Sequence, residues 1–505
     1  MWLSLLLMCF SGNSPVKSSP IIQTSVGSIS GIQGTDFTSF LGIPYGLIDE
    51  KKPFAEAIPA LPFNNTYAAH SDPAICPQLV NDIPSGSIHC LNLNVYLPNN
   101  VPSGSSLPVM IYIHGGAFVE GDGNLKTFSP KFLIKHDVII VTVNYRLGLY
   151  GFICIPGVYS NQGLKDQALA FDWIKQNIRY FGGNENNITI FGHSAGACAV
   201  DIHLLFNEKK IFNKAIIQSG LMVSPIMIKD NNEDYLTEVI RTLGFDVKDK
   251  EMKDIKNVLN SIDVNVLINK TRHDIFRPCI DNEFITKTAK VSLENVKILL
   301  GSTSREGLFF NSKNESTYQY LSLLPEEAFD EVKDFYFKGS DVKKNAIDFS
   351  TDLMFSYPIE RTLRYYDNNA AAVYRYVFTY EGKRNFIKVR DNITAPGATH
   401  GDELGYLFDA DFLGNIISEE DEAMITNMTK WWTDFAKFGS PGDSWPTVDK
   451  VSKFYKKIGS TTTTEEDFFK NKTIFWDSLY SKYGGCMNGV DYGEEYKCMK
   501  NKTIS

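Results

Sequence analysis

The stretch ITIFGHSAGACAV, residues 188–200, constrains the fold more than any other segment of this chain. Ile188, Thr189, Ile190 and Phe191 have strand character, and Ala195 to Val200 are small residues that suit a helix. The two meet at Gly192-His193-Ser194-Ala195-Gly196, with no space for a loop. A reversal that sharp leaves little room for side chains on its flanks, which accounts for glycine at 192 and 196. A hydroxyl between them, where a strand ends and a helix begins, is presented at the sheet edge. The Gly-x-Ser-x-Gly pattern is weak alone; the strand before it and the helix after it give it weight.

Other segments repeat the strand-turn-helix alternation. LPVMIYIHGG (107–116), VIIVTVNYRLG (138–148), KAIIQSG (214–220), VKILLGS (296–302) and VYRYVFTYEG (373–382) are nearly continuous apolar runs bounded by turns. That pattern suits strands buried on both faces of a parallel sheet. LKDQALAFDWIKQNIRYF (164–181) reads as a helix between them. The sequence therefore predicts an α/β fold, a mostly parallel central sheet flanked by helices. TTTTEED (461–467) reads as a loop leading into a helix start. A chain of 505 residues suggests several domains. The segments that bear chemistry run from 114 to 400, so one large domain over 16–505 is expected.

A net charge of -9 argues against a nucleic-acid partner, which needs a basic face. Residues 1–15 hold a short apolar run, Trp2 to Phe10, followed by small and polar residues, as in a cleaved signal peptide. No other segment is apolar enough for a membrane span. Secretion is the expectation. Sequons at Asn64, Asn187, Asn269, Asn314, Asn392, Asn427, Asn471 and Asn501 agree with that address. Cys76 with Cys90, and Cys486 with Cys498, bracket short loops and read as local disulfides. Cys154, Cys198 and Cys279 sit among small or apolar neighbours and read as buried free thiols. No CxxC or HExxH occurs, so neither metal nor cofactor is expected.

A serine hydroxyl needs a base. His70, His89, His114 and His136 precede the serine. His193 is adjacent in the turn and is expected to point elsewhere; His203 lies along the following helix, and His273 in a polar stretch. His400, in GATHGDELGYLF, is left as base. The third member is a carboxylate between them. Glu306, a short turn after an apolar strand, is the best placed, the alternative being an ion pair with Arg305. The amides of Gly115 and Gly116, in HGGAF, can converge with that of Ala195 on an oxyanion.

These blocks resemble a known family. FLGIPYG (40–46), CLNLNVYLP (90–98), NYRLGLYGF (144–152), NQGLKDQ (161–167), THGDELGYLF (399–408) and DFAKFGSP (434–441), with those above, are similar to blocks of the type-B carboxylesterases, cholinesterases included. The insect enzymes, lepidopteran ones above all, look closest. The resemblance implies an α/β-hydrolase fold, Ser194 as nucleophile, Glu306 as acid and His400 as base. It implies an oxyanion hole at Gly115, Gly116 and Ala195, and Ser219 matches a supporting position, a structural serine at a strand end being an equal reading. An Arg and a Glu that pair in the family are both absent, Pro53-Phe54 and Ile88-His89 standing in their places. The third oxyanion-motif position is Ala117. The 76–90 loop has no Trp for a cation–π contact, which argues against acetylcholine. The expected activity is hydrolysis of small-molecule, neutral and apolar esters through an acyl-enzyme. A juvenile-hormone esterase, a lipase and a non-catalytic adhesion protein are the alternatives.

Overall fold

A computed structural model describes residues 19–99, 101–102, 104–155, 159–228, 241, 244, 252–271, 276–311, 319–449 and 452–483. The framework is an eleven-stranded sheet. In chain order its strands are β1 (Ile32–Gln33), β2 (Phe37–Pro44), β3 (Asn92–Pro98), β4 (Leu107–Ile113), β5 (Ile139–Val143), β6 (Gly183–His193), β7 (Lys214–Gln218), β8 (Lys297–Thr303), β9 (Ala372–Phe378), β10 (Phe454–Ile458) and β11 (Thr463–Glu466). Their spatial order is β11-β10-β9-β8-β7-β6-β4-β5-β3-β2-β1. From β5 to β10 every pairing is parallel; β3, β2, β1 and β11 add antiparallel margins.

Period-two alternation explains why the central strands read as unbroken apolar runs. In β4, Val109, Ile111 and Ile113 enter the core on one face, and Met110 and Tyr112 the core on the other. In β6, Ile188 and Ile190 take the first face and Phe191 the second. Helix α1 (Gln162–Asn177) buries Leu164, Ala170, Phe171 and Ile174 in the first core. Helix α2 (Ala195–Phe206) is buried all round, as its small and apolar residues allow.

Helices α3 (Val342–Thr351) and α4 (Tyr357–Asn369) are joined by one π-helical turn, Asp352–Ser356. Helix α5 (Glu419–Phe438) starts on a Ser418 cap that accepts from the Asp421 amide and stops at left-handed Gly439. It lays Met428, Trp432 and Phe435 on the second face. Helix α6 (Lys470–Tyr483) adds Trp476 to a smaller core with Phe349, Leu353 and Phe355.

The margins differ from the sequence reading in one place. Thr463–Glu466 is the edge strand β11 rather than a loop, its β-branched threonines pairing with β10 before α6 begins. The Pro53-Phe54 departure strands no charge. Arg146 forks onto Asp166 at 2.7 and 2.6 Å and donates to the carbonyls of Pro53 and Ala55. His89 pairs with Glu50 at the surface.

Cys76 and Cys90 form the expected disulfide, with Cα atoms 4.9 Å apart. Cys154 and Cys279 are not free thiols: they form a second bridge across 125 residues, Cα atoms 6.3 Å apart. Partners so far apart in sequence leave no local signal, and apolar neighbours suit a buried disulfide as well as a buried thiol. Cys198 alone matches the free, buried reading. Cys486, Cys498, His273, Asn314, Asn501 and residues 1–15 lie outside the described residues. Replacing Cys154 and Cys279 together by Ser is expected to cost about 2–5 kcal/mol of stability. A urea midpoint equal to the parent's would mean that this bridge does not hold the fold.

Candidate active site

The parallel strands change direction of succession at β4. Strand β5 lies on one side of it and β6 on the other, with Ile113 opposite Gly192. In open α/β sheets such a switch point opens a crevice at the strands' carboxyl ends. Both motifs lie there: HGGAF leaves β4, and Ser194 leaves β6.

The turn at Ser194 is as tight as its glycines predict. A Cβ on Gly196 would stand 2.1 Å from the Ile113 carbonyl oxygen, and one on Gly192 would stand 2.6 Å from the Gly196 carbonyl. Ser194 itself is held at φ 57°, ψ -124°, where L-residues are strained. It is half-buried, while both its neighbours are buried. The β4 turn closes on it, since a Cβ on Gly115 would lie 3.1 Å from the Ser194 Cβ. Gly116, Ala117 and Phe118 all have positive φ, so that turn is strained as well. Among the described residues nothing accepts from the amides of Gly115 or Gly116. Ala195 is the first residue of α2, so its amide has no acceptor within the helix.

On the other side of β6 stands a chain of buried polar groups. His400 Nδ1 lies 2.6 Å from Glu306 Oε2. Ser219 Oγ donates to Glu306 Oε1 at 2.5 Å and the Thr303 amide donates to the same oxygen at 2.6 Å. With Nδ1 donating to the carboxylate, Nε2 carries the lone pair. Arg305 does not take Glu306: it lies near Asp348 and donates to the Pro396 carbonyl. Burial raises the Glu306 carboxyl to about 7, against lowering by Ser219 and Thr303. Burial lowers the His400 imidazole to about 3, helped by the positive Arg390. Both shifts express the cost of charge in a dry site, so the resting His400 is neutral.

Sequence reasoning named Ser194, Glu306, His400, Gly115, Gly116, Ala195 and Ser219; the fold joins His400, Glu306 and Ser219 by hydrogen bonds and sets Gly115 against Ser194, past the carboxyl ends of β4, β6, β7 and β8. It missed the aromatic surround of His400. Phe309, Phe310 and Phe355 have ring centroids 5.6, 5.6 and 5.0 Å from the imidazole. Phe355 comes from the π-helical turn, which no residue pattern announces. His193 does not point elsewhere: its ring centroid lies 4.4 Å from that of His400. Among the described residues, no cluster of His, Cys, Asp and Glu could hold a metal ion, and no helix is long and apolar enough to cross a membrane.

Residues 18–476 match the sequence model of the carboxylesterase family. The chain belongs to that family. Carboxylesterase 1D of Rattus norvegicus is 29% identical, over 95% of this chain and 96% of its own length. The cholinesterase of Mus musculus is 29% identical over 98% and 92%, and its pyrethroid hydrolase Ces2a 30% over 89% and 90%. The protein is a serine-dependent ester hydrolase with an α/β-hydrolase fold.

This carboxylesterase also buries a carboxyl behind its site. Glu403 takes Gln218 Nε2 at 3.2 Å, and its Oε2 has no partner. Burial first, then the nearby Glu306, raise it to about 8. A carboxyl raised on folding stabilises fully below its unfolded value, about 4.3. That contribution is lost as the pH rises from there through the folded value. Glu403→Gln should therefore flatten the fall in Tm between pH 5 and 8. Equal slopes for the variant and its parent would show that Glu403 does not titrate in this window.

Proposed function

We propose that this esterase hydrolyses neutral, apolar carboxylic esters through an acyl-enzyme on Ser194. One observation supports this most: a neutral imidazole, anchored by a buried carboxylate, shares a sheet edge with a strained hydroxyl and amides that lack acceptors. Ser194 Oγ attacks the ester carbonyl as His400 Nε2 takes its proton. The amides of Gly115, Gly116 and Ala195 hold the oxyanion. The intermediate collapses as His400 returns the proton to the leaving alcohol. Water then attacks the acyl-serine, its proton passes to His400, and the acid leaves as Ser194 is regenerated. Glu306 holds the Nδ1 proton, so that Nε2 is the atom that takes and returns protons, and it steadies the imidazolium.

The phenylalanines around His400 favour an apolar acyl or alcohol group. The GHSAGA and THGDELGYLF blocks resemble insect esterases, so volatile acetates, dietary esters and xenobiotics are the first candidates. A relative named as a pyrethroid hydrolase adds that ester class. The address in this reading is extracellular: residues 1–15 are cleaved on secretion, and exposed Asn64, Asn269, Asn392, Asn427 and Asn471 receive glycans. Two disulfides suit that compartment.

The test is turnover of p-nitrophenyl acetate and butyrate by the secreted full chain, with diethyl p-nitrophenyl phosphate as inhibitor. Turnover, with one diethylphosphoryl group on the Ser194 peptide, is the expected result. A folded protein that neither turns over nor becomes phosphorylated would sink the proposal.

A further inference from the structure

His193 is buried beside the site, and none of the chemistry above uses it. Its ring lies against that of His400, centroids 4.4 Å apart and planes tilted by 47°. Its far edge closes on the turn after His400. A Cβ built on Gly401, where φ is +80°, would stand 2.8 Å from His193 Cε1 and 3.0 Å from Nε2. The ring at 193 fills the side-chain space of position 401, where the positive φ also favours glycine, and it packs on the base from that side. His193 Nε2 is buried with no hydrogen-bond partner. A ring in that state stays neutral, since a buried imidazolium without an acceptor is costly.

The charged groups around the pair agree. Arg390, on the short helix Phe386–Asp391, opposes protonation of both rings. It pairs with Asp391 and feels Glu120 from the β4 turn. Glu306 bonds His400 and not His193. Asp402 is engaged by Asn385 and by the amides of Thr399 and Lys388. Glu403 faces Gln218 and Tyr376.

We propose that His193 is a positioning residue for the base: it packs an uncharged ring on His400, keeps water from it, and so keeps it unprotonated to lower pH than a carboxylate at 193 would allow. This rests on the reading of Ser194 as nucleophile and His400 as base. A base must be neutral to accept the Ser194 proton, so kcat/KM falls as the pH drops through its value in the free enzyme. The ring at 193 sets where that acid limb lies.

The experiment is the pH profile of kcat/KM for p-nitrophenyl acetate, using the full chain, His193→Glu, His193→Gln and His193→Phe. The parent should have its acid midpoint below the ordinary histidine value of about 6.5. Glu should raise the midpoint by about one pH unit or more, because an anion beside the ring favours the imidazolium. Gln, which admits water, should raise it by about half a unit, and Phe should hold it within a few tenths. A folded Glu variant with the parent's midpoint overturns the proposal. If the Glu variant does not fold, the other two decide: a Gln midpoint equal to the parent's, or a Phe midpoint displaced as far as Gln's, overturns it equally. Ser194→Ala, assayed alongside, separates the two levels. Retained turnover there would sink the nucleophile reading itself. Lost turnover with coincident midpoints would sink only the role of His193.

Discussion

Ser194→Ala is expected to lower kcat on p-nitrophenyl acetate by about 10⁴–10⁶, the scale seen when a nucleophile is removed from a triad. The residue is held at φ 57° and ψ -124°, so its replacement also reports on the backbone. Ser194→Gly should be equally inactive yet more stable than the parent by about 1 kcal/mol, since strain of that kind costs about 1–3 kcal/mol and glycine relieves it at some entropic cost. Urea midpoints at constant m-value measure this. A glycine variant less stable than the alanine variant would mean that the turn is relaxed as it stands.

Glu306→Gln carries the second large effect. Oε2 faces His400 Nδ1, while Oε1 accepts from both Ser219 and the Thr303 amide. A carboxylamide has one oxygen. If that oxygen serves Ser219 and Thr303, the NH₂ group faces Nδ1 and forces the proton to Nε2, the atom that should accept from Ser194. A loss in kcat of about 10⁴ is expected, with KM little changed, as for other triads given the wrong tautomer. A loss below about tenfold would show that His400 does not depend on this carboxylate for its tautomer.

Much of the molecule was legible because buried strands and tight turns leave composition behind. The apolar runs at 107–116, 138–148, 214–220, 296–302 and 373–382 each mark a central strand, since a parallel strand covered on both faces has few places for polar residues. Gly192 and Gly196 were readable because steric exclusion there is absolute. Glu306 and His400 could be placed by order along the chain and by resemblance.

What escaped depends on spatial neighbours. Cys154 meets Cys279, and Phe355 reaches His400, through packing that local sequence does not encode. The sequence does not reveal which way His193 faces, because a residue beside a tight turn is free, on local grounds, to face either way. The space its ring fills is left open by Gly401, more than two hundred positions later. The strand at 463–466, two threonines and two glutamates, reads as loop because polar residues on an edge open to solvent on both faces show no apolar alternation.

The ends of the large sheet bear on how the protein behaves when crowded. One margin, β1, offers only Ile32 and Gln33, and the other, β11, is four residues long and finishes on Glu465 and Glu466. Open strand margins recruit other chains when they are long, flat and apolar. Here one is too short to template a partner, and two like copies of the other would bring glutamates together. Seven parallel strands thus lie shielded between margins that discourage intermolecular β-pairing. Fibrillar aggregation of the folded esterase in concentrated solution should begin elsewhere, or only after these margins have opened.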